Sequence, residues 1–367
     1  MSMKNISVIG IGKLGICFSL TLEKAGYNVL GVDISQEYVD KVNSRTLNSD
    51  EEGVEELLRS CKNFKASTSV EEALRFSDLI FVIVATPSLD NGRYDHSQVD
   101  SVVEKVKSYG TVSNKHFVVC CTVMPGYCER VTEEISQYGY TVSYNPEFIA
   151  QGTIIKDQLN PDIILIGEGT KQAGDSIQQV YEKVTKSGPK FNRMSCTEAE
   201  ITKIALNCFL TTKISYANMV GDIVKSYDGD PKVVLKAIGD DSRIGSKYLG
   251  YGYGYGGPCF PRDNRAFALC AKDKDMSALI SIASDEVNER HLDFQIEEFV
   301  KNNDNDEQIV FECVTYKPQS TMIIESQQLA FAAGVARRGF NVKIRERKAV
   351  IQSVSEKYGN LFEYEER

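Results

Sequence analysis

Hydrophobic positions along the chain alternate between short strand-like runs and longer stretches of helical period. The runs Ile6–Ile9, Leu79–Ala85, Phe117–Cys121, Thr141–Tyr144 and Ile163–Ile166 have the length and composition of strands. Helical patterns lie between them at Ile16–Lys24, Val54–Cys61 and Val99–Ser108. Such alternation predicts a mostly parallel, doubly wound α/β sheet of the Rossmann type, with ligands beyond the carboxyl ends of its strands. The pattern then becomes helical. Thr197-Glu198-Ala199-Glu200 reads as a capping box before a long helix that runs from Ile201 to about Ser226. Asp230-Pro231 caps a second helix ending at Gly239, and Asn264 to about Asn302 is again largely helical. From Asp306 a smaller α/β unit is expected: strand Gln308–Thr315, a helix from about Glu325 to Arg338, strand Asn341–Ile344 and a further helix. The expected division is residues 1–195, 196–303 and 304–367, the last shortened.

Composition narrows the class. The 367 residues are 42% hydrophobic and 25% charged, with a net charge of −9, which argues against a general nucleic-acid binder. The longest apolar runs are too short to span a bilayer, and the N-terminus lacks the apolar stretch of a signal peptide. The ten cysteines show no C-x-x-C spacing, and the three histidines no zinc-ligand spacing. Reduced cysteines, no metal and a cytoplasmic setting are therefore expected.

Two segments carry chemistry. Gly10-Ile11-Gly12-Lys13-Leu14-Gly15 follows the first strand and opens a helix, and the second strand, Asn28–Val32, ends on Asp33. In that context the glycines allow a tight turn at a pyrophosphate, and Asp33 accepts hydrogen bonds from a ribose while repelling a 2′-phosphate. NAD is the expected cofactor. The second segment is Gly252-Tyr-Gly-Tyr-Gly-Gly-Pro-Cys259-Phe-Pro-Arg-Asp263. Its glycines bring backbone close to a substrate, and its thiol suits covalent catalysis at a carbonyl carbon. A flexible surface loop that happens to hold a cysteine is the other reading. Lys203 and Asn207, four apart on the long helix, either orient hydroxyls and an oxyanion or are a snorkelling lysine and a solvated amide. Turns at Thr86-Pro87, Thr122-Val-Met-Pro-Gly126 and Asn145-Pro-Glu-Phe148 follow strands, and Lys317 stands past the first strand of the last unit.

Together with Ile155-Lys-Asp157, Asn160-Pro-Asp162 and Arg243-Ile-Gly245, these motifs resemble the nucleotide-sugar 6-dehydrogenase family, in the family's order and over nearly the whole chain. The resemblance implies a central dimerisation helix and NAD-dependent, four-electron oxidation of a nucleotide sugar, with UDP-glucose preferred. It makes Cys259 the nucleophile, Lys203 and Asn207 the oxyanion partners, Asp263 and Thr122 the holders of water or proton, and Glu147 the hydrolytic base. Gly10, Gly12, Lys13, Leu14, Gly15, Asp33, Thr86, Pro87 and Thr122 would meet the cofactor. Glu147, Phe148, Ile149, Lys203, Asn207, Tyr248, Tyr255, Gly256 and Lys317 would meet the substrate, with Arg243 reaching that of a second subunit. Three segments depart from the family pattern: Gln151 and Ile324 replace a glutamate and an arginine, and Arg345-Glu346-Arg347 replaces tyrosine-aspartate-proline. A two-electron hydroxyacid dehydrogenase and a non-catalytic NAD-binding protein are the competing readings.

Overall fold

A computed structural model describes residues 4–149, 152–305, 307–318 and 320–367. Gln151 and Asp306, both singled out above, lie outside the described residues. The chain divides into two compact units between Lys203 and Ile204. In the first, β1 (Asn5–Ile9), α1 (Lys13–Lys24), β2 (Asn28–Val32), α2 (Gln36–Asn43), α3 (Val54–Ser60), β3 (Phe64–Ser67), α4 (Val70–Phe76) and β4 (Leu79–Val82) follow in order. Next come α5 (Ser97–Tyr109), β5 (Lys115–Val119), α6 (Tyr127–Ile135), β6 (Tyr140–Tyr144), α7 (Ile154–Leu159), β7 (Ile163–Gly167), α8 (Lys171–Val184) and β8 (Lys190–Met194). The long helix α9 (Cys196–Ser226) crosses the division.

The eight strands form one sheet in the order β3-β2-β1-β4-β5-β6-β7-β8. All pairs are parallel except β6 with β7, which meet antiparallel at Tyr144 and Gly167. Strand residues alternate between two cores. Val29, Phe81, Val118 and Ile166 pack on one face, and Leu30, Val82, Val119 and Leu165 on the other. Burial on both faces is why these strands read as continuous apolar runs. The Leu79–Ala85 run is cut short at Val82, because the chain turns outward there toward Thr86 and Pro87.

The start of α9 differs from expectation. The reciprocal box is Ser195 with Glu198: Ser195 N–H donates to Glu198 at 2.9 Å and Glu198 N–H to Ser195 Oγ at 3.3 Å. Thr197 and Glu200 are engaged elsewhere. Thr197 donates to Glu129 at 2.7 Å. The Glu200 carboxylate, fully buried, accepts from Gly126 N–H at 2.6 Å and Cys128 N–H at 2.8 Å, capping α6 from a distant stretch of chain.

In the second unit, α9 continues into α10 (Pro231–Gly239), α11 (Phe260–Lys272) and α12 (Leu279–Asn302). Asp230 caps α10, accepting from Lys232 N–H at 2.9 Å. Then follow β9 (Ile309–Phe311), α13 (Gln327–Arg337), β10 (Val342–Glu346), α14 (Lys348–Tyr358) and β11 (Glu363–Glu366). The three strands are parallel in the order β11-β10-β9. Their core joins Ile296 of α12 to Ala332, Val335, Ile344 and Val354. The strand expected over Gln308–Thr315 is only three residues long, since Val314 and Thr315 already belong to a buried turn.

Removing the Glu200 carboxylate strands the buried Cys128 amide and the partly buried Gly126 amide. Glu200→Ala should cost about 2–3 kcal/mol, roughly 5–10 °C in melting temperature, with Glu200→Gln between the two. Calorimetry checks it, and an unchanged transition refutes the cap.

Candidate functional site

At the carboxyl edge of the large sheet, five loops carry the residues singled out in the first unit. Gly10 has a φ of +92°, and a Cβ there would lie 2.4 Å from the Ile83 carbonyl oxygen, so only glycine fits the turn. A Cβ on Gly12 meets nothing of the protein, which leaves space before the N-terminus of α1. That terminus has no side-chain cap and no acidic residue in its first turn, so the amides of Lys13 and Leu14 are presented to an anion. Gly15 crosses against Gly10 within α1. Asp33 ends β2 with one carboxylate oxygen accepting from Ser35 N–H at 3.0 Å. This geometry fits a dinucleotide.

Thr86 is buried and donates to the Thr122 carbonyl at 2.8 Å, joining the loop after β4, which includes Pro87, to the one after β5. The Thr122–Gly126 turn is held from both ends. Met124 N–H donates to His96 Nε2 at 3.3 Å, and Glu200 takes Gly126. Burial holds His96 below the ordinary histidine range, consistent with a neutral, accepting ring.

After β6, Asn145 is buried and donates to the Leu165 carbonyl at 2.9 Å. Tyr181 OH lies 2.8 Å from Asn145 Oδ1 and 3.4 Å from Glu147 Oε1. Its single proton goes to the nearer amide oxygen, so Glu147 has only a weak donor. Burial pushes the Glu147 carboxyl up to about 7, with Tyr181 and Lys203 drawing it back. Lys203 is buried, donates to the Glu147 carbonyl at 2.7 Å and lies 4.4 Å from the centre of the Phe148 ring. Ile149 packs against the adjoining core. Glu51, far away in sequence, accepts from Gly152 N–H at 2.7 and 2.8 Å and so fixes the far end of this loop.

In the second unit Cys259 is the one exposed cysteine of the ten, at the N-cap of α11. Burial raises the Cys121 thiol to about 12 and Cys120 well above its usual value, so those thiols are inert. Asp263, fully buried, accepts from Asn207 Nδ2 at 2.6 Å and from Arg262 Nε at 3.0 Å. Asn207 keeps a second amide hydrogen for another acceptor. The loop glycines have a use beyond substrate approach: a Cβ on Gly256 would lie 2.0 Å from the Glu325 carbonyl oxygen. Tyr255 is gripped by Asn288, which accepts from its N–H at 2.9 Å and donates to its carbonyl at 3.0 Å. Tyr255 OH donates to Asp285 and accepts from Asn264 at 2.9 Å.

Asn218, Asp222, Asp285, Asn288 and His291, which hold this loop, were missed in the sequence. Their signal was polar residues at three- and four-residue spacing on helix faces that should be apolar. Tyr248 is half-exposed with a φ of +61°. Arg243 is exposed and clasped by Asp241 at 2.7 and 3.0 Å. Lys317 lies 5.9 Å from the Tyr316 ring centre, in a turn where its carbonyl accepts from Thr315 Oγ1 at 2.8 Å. Among the described residues no cluster could hold a metal ion, and no helix is long and apolar enough to cross a membrane.

The NAD binding domain of the UDP-glucose/GDP-mannose dehydrogenase family matches residues 4–185, and that family's central domain matches residues 197–290. The UDP-glucose 6-dehydrogenase AglM of Haloferax volcanii is 32% identical, over 80% of this chain and 72% of its own. The structure of a UDP-glucose dehydrogenase from Pyrobaculum islandicum superposes with a TM-score of 0.88 at 29% identity, covering 100% of this chain and 86% of the other. A UDP-D-ManNAc dehydrogenase from Pyrococcus horikoshii shares the fold, with a TM-score of 0.78 at 21% identity over 93% of this chain and 83% of that one.

The raised Glu147 carboxyl has a thermal signature. Its folded value lies above its unfolded one, so the folded state holds its proton more tightly, and stability is lost as pH rises from about 4.5 to about 7. Glu147→Gln removes that loss. Its melting temperature should match wild type near pH 5 and exceed it by a few degrees near pH 8. A difference that stays constant across this window would contradict the assignment.

Proposed function

The chain belongs to the UDP-glucose/GDP-mannose dehydrogenase family, and from that premise we propose that it oxidises C6 of UDP-glucose to the carboxylate in two NAD-dependent steps. The observation that carries the reading is Cys259, exposed at the head of α11, four residues before a buried aspartate already bound to Asn207. The turn at Gly10–Gly15, the start of α1 and Asp33 would hold NAD, together with Thr86, Pro87 and Thr122. When bound, NAD supplies the hydride acceptor for each oxidation.

The chain's own groups do the rest. The Cys259 thiolate adds to the C6 aldehyde carbon, forming a C–S bond and placing the carbonyl electrons on oxygen. Lys203 and the second amide hydrogen of Asn207 stabilise that oxyanion. Loss of a hydride and a proton from the thiohemiacetal leaves a thioester. Glu147, with its carboxyl near neutrality, takes a proton from water as the oxygen attacks the thioester carbon. The tetrahedral intermediate collapses by breaking the C–S bond and releasing the thiolate. Asp263 and Thr122 hold the water or relay the proton. One alcohol, two NAD⁺ and one water thus give one carboxylate, two NADH and three protons.

Phe148, Ile149, Tyr248, Tyr255, Gly256 and Lys317 complete the proposed substrate contacts. A homodimer is part of the proposal. Phe209, Tyr216, Met219 and Ile223 leave α9 with an exposed apolar stripe, and Arg243 would serve a neighbour's substrate. Free thiols and the absence of a membrane-spanning helix among the described residues suit the cytoplasmic setting expected from the sequence.

NADH counted against sugar consumed tests the reaction, with two NADH and an acid product expected from UDP-glucose. One NADH and a stable aldehyde would overturn the mechanism. Cys259→Ala should lower turnover by at least ~10³-fold, whereas full turnover would favour a two-electron hydroxyacid dehydrogenase. No NADH with any UDP- or GDP-sugar would leave a non-catalytic NAD-binding protein. For assembly, Ile223→Arg should shift sedimentation from dimer to monomer, and an unchanged profile would place the interface elsewhere.

A further inference from the structure

His291 is buried on α12 and touches none of the residues assigned to the chemistry. Each ring nitrogen faces an acceptor. Nδ1 lies 2.9 and 2.8 Å from the two carboxylate oxygens of Asp222 on α9, and Nε2 lies 2.6 Å from the Gly252 carbonyl oxygen. Asp222 Oδ1 already accepts from Tyr251 OH at 2.8 Å, and the Tyr251 ring stands edge-on to the imidazole at 5.4 Å. Beyond Tyr251, Lys225 is paired with Glu298 at 3.0 Å. The Gly252 carbonyl can only accept, so Nε2 carries the proton of that contact, and the Asp222 carboxyl group orients the ring through Nδ1.

Gly252 begins the loop that ends in Cys259, and both of its peptide groups are held. Its N–H donates to Asn218 Oδ1 at 3.1 Å, and its carbonyl also accepts from Gln295 Nε2 at 3.1 Å. Asp285, Asn288, His291 and Gln295 recur at spacings of three and four along α12, so one polar stripe grips the loop at Gly252 and Tyr255.

We propose that His291, oriented by Asp222, is a positioning residue whose Nε2–H fixes the Gly252 peptide and thereby the loop presenting Cys259. A glycine has no side chain by which to be held, so the loop's geometry passes through such backbone contacts. The consequence for catalysis rests on the function proposed above; the clamp itself does not.

The test combines exchange, a paired substitution and turnover. In His291→Gln the amide nitrogen can still reach Gly252, but the amide oxygen then faces the Asp222 carboxylate. In Asp222→Asn/His291→Gln an amide faces an amide and both contacts return. Hydrogen–deuterium exchange in peptides spanning 250–258 should quicken about tenfold in the single variant, equivalent to about 1.4 kcal/mol, and recover in the double. Turnover should fall in parallel, with KM for the sugar nearly unchanged, and recover likewise. Asp222→Asn alone should leave the exchange near the wild-type rate, because a neutral ring can accept from the introduced amide and still donate to Gly252. ¹⁵N spectra of protein labelled at its three histidines should show His291 Nε2 carrying a proton in wild type. An unprotonated His291 Nε2, unchanged exchange in His291→Gln, or a double variant no better than the single would overturn the proposal. Should His291→Gln fail to fold, Asp222→Asn and the ¹⁵N spectra decide. Exchange that follows the clamp without turnover from any sugar would sink the function and spare the clamp.

Discussion

A loop so rich in glycine must be held largely through its backbone, and the second unit is organised around that constraint. Glycine allows the chain to pass close under Glu325 but supplies no side-chain anchor of its own, which leaves Tyr251 and Tyr255 to add theirs. The anchors must therefore come from elsewhere, as amides, carboxylates and an imidazole on rigid helices. Asn218 and Asp222 on α9, with Asn288 and His291 on α12, supply them. Placing these groups inside a helix pair costs apolar packing. That cost is offset because each makes at least one hydrogen bond, with Asn218 Nδ2 left over, and a buried polar group with a partner adds rigidity where one without would destabilise.

The first unit solves a related problem with carboxylates. Its strand-end loops would otherwise leave amides unpaired, and two acidic residues remote in sequence take them up. Glu51 holds Gly152, and Glu200 holds Gly126 and Cys128. Burial raises the Glu200 carboxyl while the amides of Cys128 and Gly126 oppose it. Burial raises the Glu147 carboxyl too, to about 7, against Tyr181 and Lys203. Glu51 and Glu200 serve as struts on backbone amides, and Glu147 is the carboxyl to which the proposed function gives the proton transfer.

What could be read in the sequence follows the same line. The parallel sheet was legible because its strands are buried on both faces, and the Gly10–Gly15 turn because its glycines sit between a strand and a helix. Features set by distant partners were not legible. Thr197 and Glu200 matched a capping box that folding gives to Ser195 and Glu198, since nothing local says that Glu200 will be claimed by α6. The strands β3 and β8 are amphipathic or polar, with Lys65 and Arg193 among four- and five-residue runs, and so lack the continuous apolar signal. On α9 and α12 the anchoring polar residues have the spacing of an ordinary solvated face, which hides them among true surface positions.

The altered third segment is tied to the cysteine loop rather than set apart from it. Gly257 N–H donates to the Ile324 carbonyl at 3.1 Å, so the residue that replaces the family's arginine still supports the loop through its backbone. The side chain does not share that duty, which leaves position 324 free to lose its charge without loosening the Cys259 loop. The nearby cations do not restore that charge. Arg345 is paired with Glu365 at 2.7 Å and Glu312 at 2.9 Å, and Arg367 with the fully buried Glu346 at 3.0 Å. Arg347 donates to the Ser320 carbonyl. Using any of these on a phosphate would break an existing pair, and at Glu346 it would strand a buried carboxylate. Under the proposed function, charge selection at this edge is then weaker than the family pattern implies, and discrimination among nucleotide sugars falls more heavily on the shape of the loop that α9 and α12 hold in place.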